Sequence, residues 1–107
     1  MGSIQQISAP DLKDLMDHGA SFEFVDVRTE DERTIARIQG SRLLDRAYFD
    51  QLMALDRNTM LVFTCHHGMR SQAAAEHFAR EGFANVYNLI GGIDDWSRSV
   101  DPSIPRY

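Results

Sequence analysis

Apolar residues along the chain fall into short blocks, and these blocks alternate with stretches of helical periodicity. The apolar blocks predict strands at 4–8, 22–27, 43–44, 60–64 and 86–89. Helical spacing or helix-start residues predict helices that follow Ser8, Thr29, Leu44, Arg70 and Gly91. Strands joined by helices require right-handed crossovers, so the pattern predicts a layered α/β domain.

The block at 60–64 is apolar nearly throughout, which is typical of a central parallel strand covered on both faces. It runs directly into Cys65-His66-His67-Gly68-Met69-Arg70-Ser71, and a strong helix-forming segment follows up to Gly82. Ligands of open α/β sheets bind where strands end and helices begin. We therefore expect the functional site at this strand–loop–helix step.

Composition narrows the class of protein. A chain of 107 residues fits one domain over 1–107, with a core at about 4–98 and an irregular tail at 99–107. The single cysteine excludes an intramolecular disulfide and suits a reducing compartment, so we predict a cytoplasmic protein. There is no apolar run long enough for a membrane span, and no membrane partner is predicted. The net charge of -5 disfavours nucleic acid as a partner.

The surroundings of Cys65 favour a reactive thiolate. Gly68 permits a tight turn with inward-facing N–H groups, and the next helix presents its positive N-terminus. Arg70 and the two histidines add positive charge, which lowers the pKa of a neighbouring thiol. A lone cysteine at a strand end is more often a small buried apolar residue. The offsets of Gly68 and Arg70 favour the catalytic interpretation here. We predict Cys65 as the nucleophile and a substrate-binding loop of His66, His67, Gly68, Met69, Arg70 and Ser71.

Neither a metal nor another cofactor is predicted. His66 and His67 adjoin Cys65, but three consecutive residues rarely enclose one tetrahedral ion. The sequence near them offers no acidic ligand and no second cysteine. We expect the histidines to be pocket walls.

A thiolate in an anion-binding loop can attack phosphorus or sulfur. Cysteine phosphatases use the spacing Cys-x5-Arg, whereas four residues separate Cys65 from Arg70, and Ser71 stands where the phosphatase arginine would be. The shorter loop makes a smaller ring, which suits one terminal sulfur better than a phosphoryl group.

The sequence resembles the rhodanese family in three motifs that keep their order. The family pattern Cys-x-x-Gly-x-Arg-Ser is matched at 65–71, and Asp-Val-Arg followed by glutamate is matched by Asp26-Val27-Arg28 and Glu32. The third match comprises Gly82-Phe83, the strand Val86-Tyr87-Asn88-Leu89, Gly91-Gly92-Ile93 and Trp96. The second family motif continues as Gly-His-Ile-Pro-Gly-Ala, and this sequence differs from it at Ala36, Arg37, Gln39 and Ser41.

The resemblance implies a three-layer α/β/α fold with a five-stranded parallel sheet. It also implies a sulfurtransferase that takes sulfur from a small anion such as thiosulfate, carries it as a Cys65 persulfide, and passes it to cyanide, a thiol or a protein acceptor. Asp26, Arg28 and Glu32 are expected to shape the pocket wall through an ion pair. A sulfur-relay or interaction module with a protein donor stays open as an alternative, as does a cysteine-dependent phosphatase.

Overall fold

A computed structural model describes residues 3–107, in which strands and helices alternate strictly. The strands are β1 (Ile4–Ile7), β2 (Glu23–Asp26), β3 (Arg42–Leu43), β4 (Leu61–Thr64) and β5 (Val86–Leu89). The helices are α1 (Ala9–Asp17), α2 (Glu30–Ile35), α3 (Arg46–Met53), α4 (Met69–Arg80) and α5 (Gly92–Ser99).

All five strands are parallel and lie in the order β1-β5-β4-β2-β3. β4 is the central strand, with Val62 opposite Phe24 of β2 on one side and Tyr87 of β5 on the other. Every residue of β4 is buried, as its continuous apolar sequence predicts. The predicted five-stranded parallel sheet is confirmed.

Each face of the sheet is covered by two helices. Leu12 of α1 and Trp96 of α5 are buried in one apolar cluster with Phe24 and Val62. Leu52 of α3 and Phe78 of α4 are buried in the other cluster on the opposite face. These two clusters make the three layers, and the predicted α/β/α architecture is confirmed.

The helix starts follow from local chemistry. The Ser8 hydroxyl accepts from the N–H of Asp11, with Pro10 in the first turn of α1. Thr29 and Glu32 form a capping box at the start of α2, in which each side chain accepts from the other residue's N–H. Gly68 is the cap of α4 in the left-handed region, with φ 103°.

Several boundaries differ from the sequence prediction, and β1, β2 and β4 are each one or two residues shorter than predicted. β3 covers Arg42–Leu43 rather than 43–44, because pairing with Val25 and Asp26 selects these residues. α4 begins at Met69, two residues before Ser71, since the positive φ of Gly68 turns the chain into the helix at once.

Residues 101–107 form no helix or strand, but this segment packs on the domain. Ile104 lies against the cluster that contains Trp96, and its carbonyl accepts from the Ser97 hydroxyl at 2.5 Å. The chain then returns to the carboxyl edge of the sheet, where the Tyr107 hydroxyl meets Arg28. The packed part of the domain therefore extends beyond the predicted limit at about residue 98. None of the helices in 3–107 has the length and apolar character that a membrane span requires.

Candidate active site

The sulfur of Cys65 lies where β4 ends and the loop to α4 begins. Cys65 is 1% exposed. Its Sγ accepts from the Gly68 N–H at 3.0 Å and lies 3.3 Å from the Ser71 hydroxyl oxygen. Ser71 is in the first turn of α4, so the sulfur faces the N-terminal end of that helix. The loop therefore wraps polar donors around a thiol that is otherwise shielded from water.

These donors oppose the effect of burial. Burial by itself raises the pKa of the Cys65 thiol, because the charged form is the one that loses hydration. Hydrogen bonds from the Ser71 hydroxyl, when its proton faces the sulfur, and from the backbone N–H groups of Ser71, Gly68 and His67 lower it, and the net pKa is below the ordinary value. The loop is built to hold an anionic sulfur.

The start of α5 holds the other side of the loop. The N–H of Ile93 donates to the carbonyl of Cys65 at 2.8 Å, and the N–H of Asp94 donates to that of His66 at 3.1 Å. A Cβ at Gly92 would collide with these same carbonyls. Gly92 therefore allows close packing at the start of α5, which explains how the loop carbonyls turn away from the sulfur.

Arg70 points to α2. Its guanidinium donates to both carboxylate oxygens of Glu32, at 2.7 and 2.9 Å, and the Tyr107 hydroxyl donates to the same carboxylate at 2.7 Å. The hydrogen bonds from Arg70 hold the pKa of Glu32 well below its ordinary range, and those bonds raise the pKa of Arg70 in turn. Arg70 thus ties the start of α4 to the start of α2.

The expected ion pair between Asp26 and Arg28 is present, but the Glu32 carboxylate does not take part in it. Asp26 is 1% exposed and pairs with Arg28 and Arg33, each at 2.8 Å. Arg28 reaches only the backbone carbonyl of Glu32, at 3.5 Å. The Glu32 carboxylate goes to Arg70 instead, because the capping box at Thr29 turns it towards the loop.

Three aromatic rings stack along the loop. His66 lies between His67 and Tyr107, with ring centroids 3.9 Å apart on each side. The Nε2 atom of His66 is buried and makes no hydrogen bond to residues 3–107. His67 is exposed, and Met69 is 82% exposed. The predicted loop residues therefore divide: His66 is within the site, whereas His67 and Met69 lie at its rim.

A carboxylate that the sequence argument about metals did not anticipate lies beside the histidines. Potential ligand atoms of His66, His67 and Asp94 are within 4.8 Å of one another, because α5 brings Asp94 to the loop. Arg106 already donates hydrogen bonds of 2.9 and 3.3 Å to the Asp94 carboxylate. The three groups do not form a ready metal site, and the absence of a metal stays a prediction.

Two residues at the site were missed by the sequence analysis. Asn88 is a buried polar residue in β5, and it contacts both Ser71 and Gly68. A polar residue inside an apolar strand was a signal for it. Tyr107 had no such signal, because the irregular tail has no periodicity that fixes where it packs.

Comparison with known proteins shows which family the chain resembles. The model of the rhodanese-like domain matches residues 8–99. The thiosulfate sulfurtransferase GlpE of Pseudomonas aeruginosa is 37% identical over 94% of this chain and 90% of its own length.

Solved structures match the fold over nearly the whole chain. A rhodanese-like domain protein from Staphylococcus aureus has a TM-score of 0.75 and 25% identity, with 96% of this chain and 98% of that chain covered. A Rhodopseudomonas palustris protein described as a possible tyrosine phosphatase has a TM-score of 0.76 and 26% identity, with 97% and 85% covered. The matched segment contains β2, β4, the Cys65 loop and α4, and on this basis the chain belongs to the rhodanese-like domain family.

Proposed function

We propose that the protein is a sulfurtransferase that moves a sulfane sulfur from a donor such as thiosulfate to a thiol or cyanide, through a persulfide on Cys65. The observation that carries this proposal is the contact of the Cys65 sulfur with the Gly68 N–H at 3.0 Å, in a loop that presents further amides to it. The relatives named thiosulfate sulfurtransferase support the reaction class.

The reaction takes two displacement steps. The Cys65 thiolate attacks the outer sulfur of thiosulfate, a sulfur–sulfur bond forms, and the bond to the sulfonate sulfur breaks as sulfite leaves with its electron pair. An acceptor nucleophile then attacks the terminal sulfur, and the Cys65 thiolate leaves. The loop amides stabilise the negative charge on sulfur before the first step and after the second. No general base is needed for a thiol that is already ionised.

The ion pairs around the loop affect which sulfur donor the site can bind. Arg70 is paired with Glu32, Arg28 and Arg33 are paired with Asp26, and Arg106 is paired with Asp94. A thiosulfate dianion therefore meets arginines that already hold carboxylates. This favours a neutral or protein-bound donor, so a sulfur relay loaded by a cysteine desulfurase is our second candidate.

The test is intact mass spectrometry of the protein after incubation with thiosulfate, and again after cyanide is added. We expect the mass of one sulfur atom to be gained and then lost, with no change in Cys65→Ala or Cys65→Ser. Loading by a cysteine desulfurase much faster than by thiosulfate would favour the relay. Hydrolysis of an aryl phosphate by a protein that gains no sulfur would replace the proposal with a phosphatase.

The remaining assignments are proposals as well. We propose that residues 1–107 act as one domain, and that His66, His67, Gly68, Met69, Arg70 and Ser71 line the substrate site. We propose the cytoplasm as the compartment, since one unpaired reactive cysteine suits a reducing environment. The acceptor is cyanide, a small thiol or a protein thiol, and neither a cofactor nor nucleic acid takes part.

A further inference from the structure

Asn88 connects the middle of β5 to the loop around Cys65. It is 4% exposed, and its side-chain nitrogen lies 3.2 Å from the carbonyl oxygen of Gly68 and 2.9 Å from the Gln6 side-chain oxygen. Its side-chain oxygen lies 2.5 Å from the Ser71 hydroxyl oxygen. The carbonyl of Gly68 can only accept a hydrogen bond, so the amide nitrogen must face it. The amide oxygen of Asn88 is therefore fixed towards Ser71.

Ser71 has two possible acceptors and a single hydroxyl proton. The Asn88 oxygen is at 2.5 Å and the Cys65 sulfur is at 3.3 Å. When the proton lies towards Asn88, Ser71 presents lone pairs to the sulfur, and this arrangement suits a protonated thiol that donates. When the proton turns to a thiolate, two oxygen lone pairs face each other at 2.5 Å. Ionisation of Cys65 therefore works against the contact between Ser71 and Asn88.

We propose that Asn88 is a positioning residue that competes with the Cys65 sulfur for the Ser71 proton and so sets the fraction of Cys65 that is ionised. The inference rests on the proposed role of Cys65 as the nucleophile. Its consequence for catalysis follows from thiol chemistry, because a thiolate of very low pKa is a weaker nucleophile. Asn88 partly offsets the loop amides and keeps the sulfur nucleophilic.

Other charged and titratable groups also face this part of the molecule. They are His66 and His67 in the loop, Arg70 in α4, Glu32 in α2, Asp26 with Arg28 beside β2, Asp94 with Arg106 at α5, and Tyr107 in the tail. Each of these is unchanged in the variants below. A difference in ionisation between variants therefore reports on Ser71 and Asn88.

The experiment is the rate of Cys65 alkylation by iodoacetamide as a function of pH. It reads one site, because the chain has a single cysteine. In Asn88→Leu, which has nearly the same shape without polar atoms, the Ser71 proton is free to turn to the sulfur. We expect the ionised fraction at acidic pH to rise about tenfold, which corresponds to one charge-assisted hydrogen bond of modest strength.

Two further variants separate proton competition from a general loosening of the loop. In the Ser71→Ala background, Asn88→Leu should cause no rise, because the competing proton is gone. Gln6→Ala removes a partner of the Asn88 nitrogen but keeps the contact with Ser71, and it should titrate like the wild type. A loosened loop would weaken the amide contacts and lower the ionised fraction instead.

The outcomes are distinct. An unchanged or smaller ionised fraction in Asn88→Leu, or a rise that persists in the Ser71→Ala background, overturns the inference. If Asn88→Leu does not fold, Ser71→Ala alone decides, since a proton held by Asn88 predicts less than about a threefold loss of ionised thiol and a larger loss overturns it. Alkylation needs no sulfur donor, so failure of sulfur transfer leaves this test intact.

Discussion

The guanidinium of Arg70 and the carboxylate of Glu32 form a bidentate ion pair that joins α4 to α2 beside the Cys65 loop. The side chain of Arg70 is 46% exposed, whereas that of Glu32 is 18% exposed. Arg70 is the second residue of α4, so this ion pair holds the helix start that directly follows the turn at Gly68. We propose that Arg70 orders the loop before any substrate arrives.

If Arg70 acts through Glu32, then Arg70→Ala and Glu32→Ala should lower the sulfur-transfer rate to a similar extent. The double variant should then be little worse than either single one, with a coupling free energy of about 1 kcal/mol in a double-mutant cycle. Steady-state rates with saturating donor provide the measurement. A Glu32→Ala variant with the wild-type rate, beside an impaired Arg70→Ala variant, would instead assign Arg70 to the substrate.

Acid should weaken the fold through Glu32. The hydrogen bonds from Arg70 lower the pKa of this carboxyl in the folded protein, so folding favours its ionised form. The resulting stabilisation is fully present above the unfolded pKa of about 4.3 and is lost as the pH falls through the folded value. Urea unfolding should therefore show a larger loss of stability between neutral pH and about pH 3 for the wild type than for Glu32→Gln. Parallel losses in the two proteins would contradict the role of this carboxyl.

The sequence alone was enough for the parts of the site that are continuous in the chain. β4, Cys65, Gly68 and the start of α4 follow one another, so strand pattern and turn chemistry predict their arrangement. β3 is too short to have a pattern of its own, and its exact residues depend on pairing with β2. The predicted ion-pair partner of Glu32 was wrong for a related reason, because the true partner, Arg70, depends on how α2 and α4 are placed in space.

Contacts between distant residues were beyond local patterns. Asn88 is 17 residues from Ser71 in the chain, and Tyr107 is 79 residues from Arg28. Only the parallel order of β4 and β5 brings the first pair together, and only the return of the tail brings the second. A polar residue inside an apolar strand marks Asn88 itself, but nothing in composition or periodicity identifies the partner of such a hydrogen bond, because it involves only one atom on each side.

The Tyr107 hydroxyl should contribute to stability through Arg28 and Glu32. It accepts from Arg28 Nη1 at 2.7 Å and donates to Glu32 at the same distance. Tyr107→Phe keeps the ring that stacks on His66 but removes both bonds, and we expect a loss of about 1.5 kcal/mol in the free energy of unfolding. Tyr87→Phe is the control, since its hydroxyl has no hydrogen-bond partner within 3–107. Equal stabilities of the two variants in urea would show that the bridge contributes nothing.

Gly92 should tolerate no side chain, because the loop carbonyls occupy the space of a Cβ. A methyl group there would strike the backbone carbonyl groups of Cys65 and His66, and φ is 58°. Gly19, with φ 74° and open space around it, serves as the control for conformational strain alone. Gly19→Ala should cost about 1–2 kcal/mol in the free energy of unfolding, the ordinary cost of a left-handed alanine. Gly92→Ala should cost more than this in the free energy of unfolding by urea.

Gly92→Ala should also slow the alkylation of Cys65 at a given pH, because moving the loop carbonyls moves the amides that stabilise the thiolate. If the two variants lose the same stability and Gly92→Ala keeps the wild-type alkylation rate, then the contact of α5 with the loop does not control the sulfur.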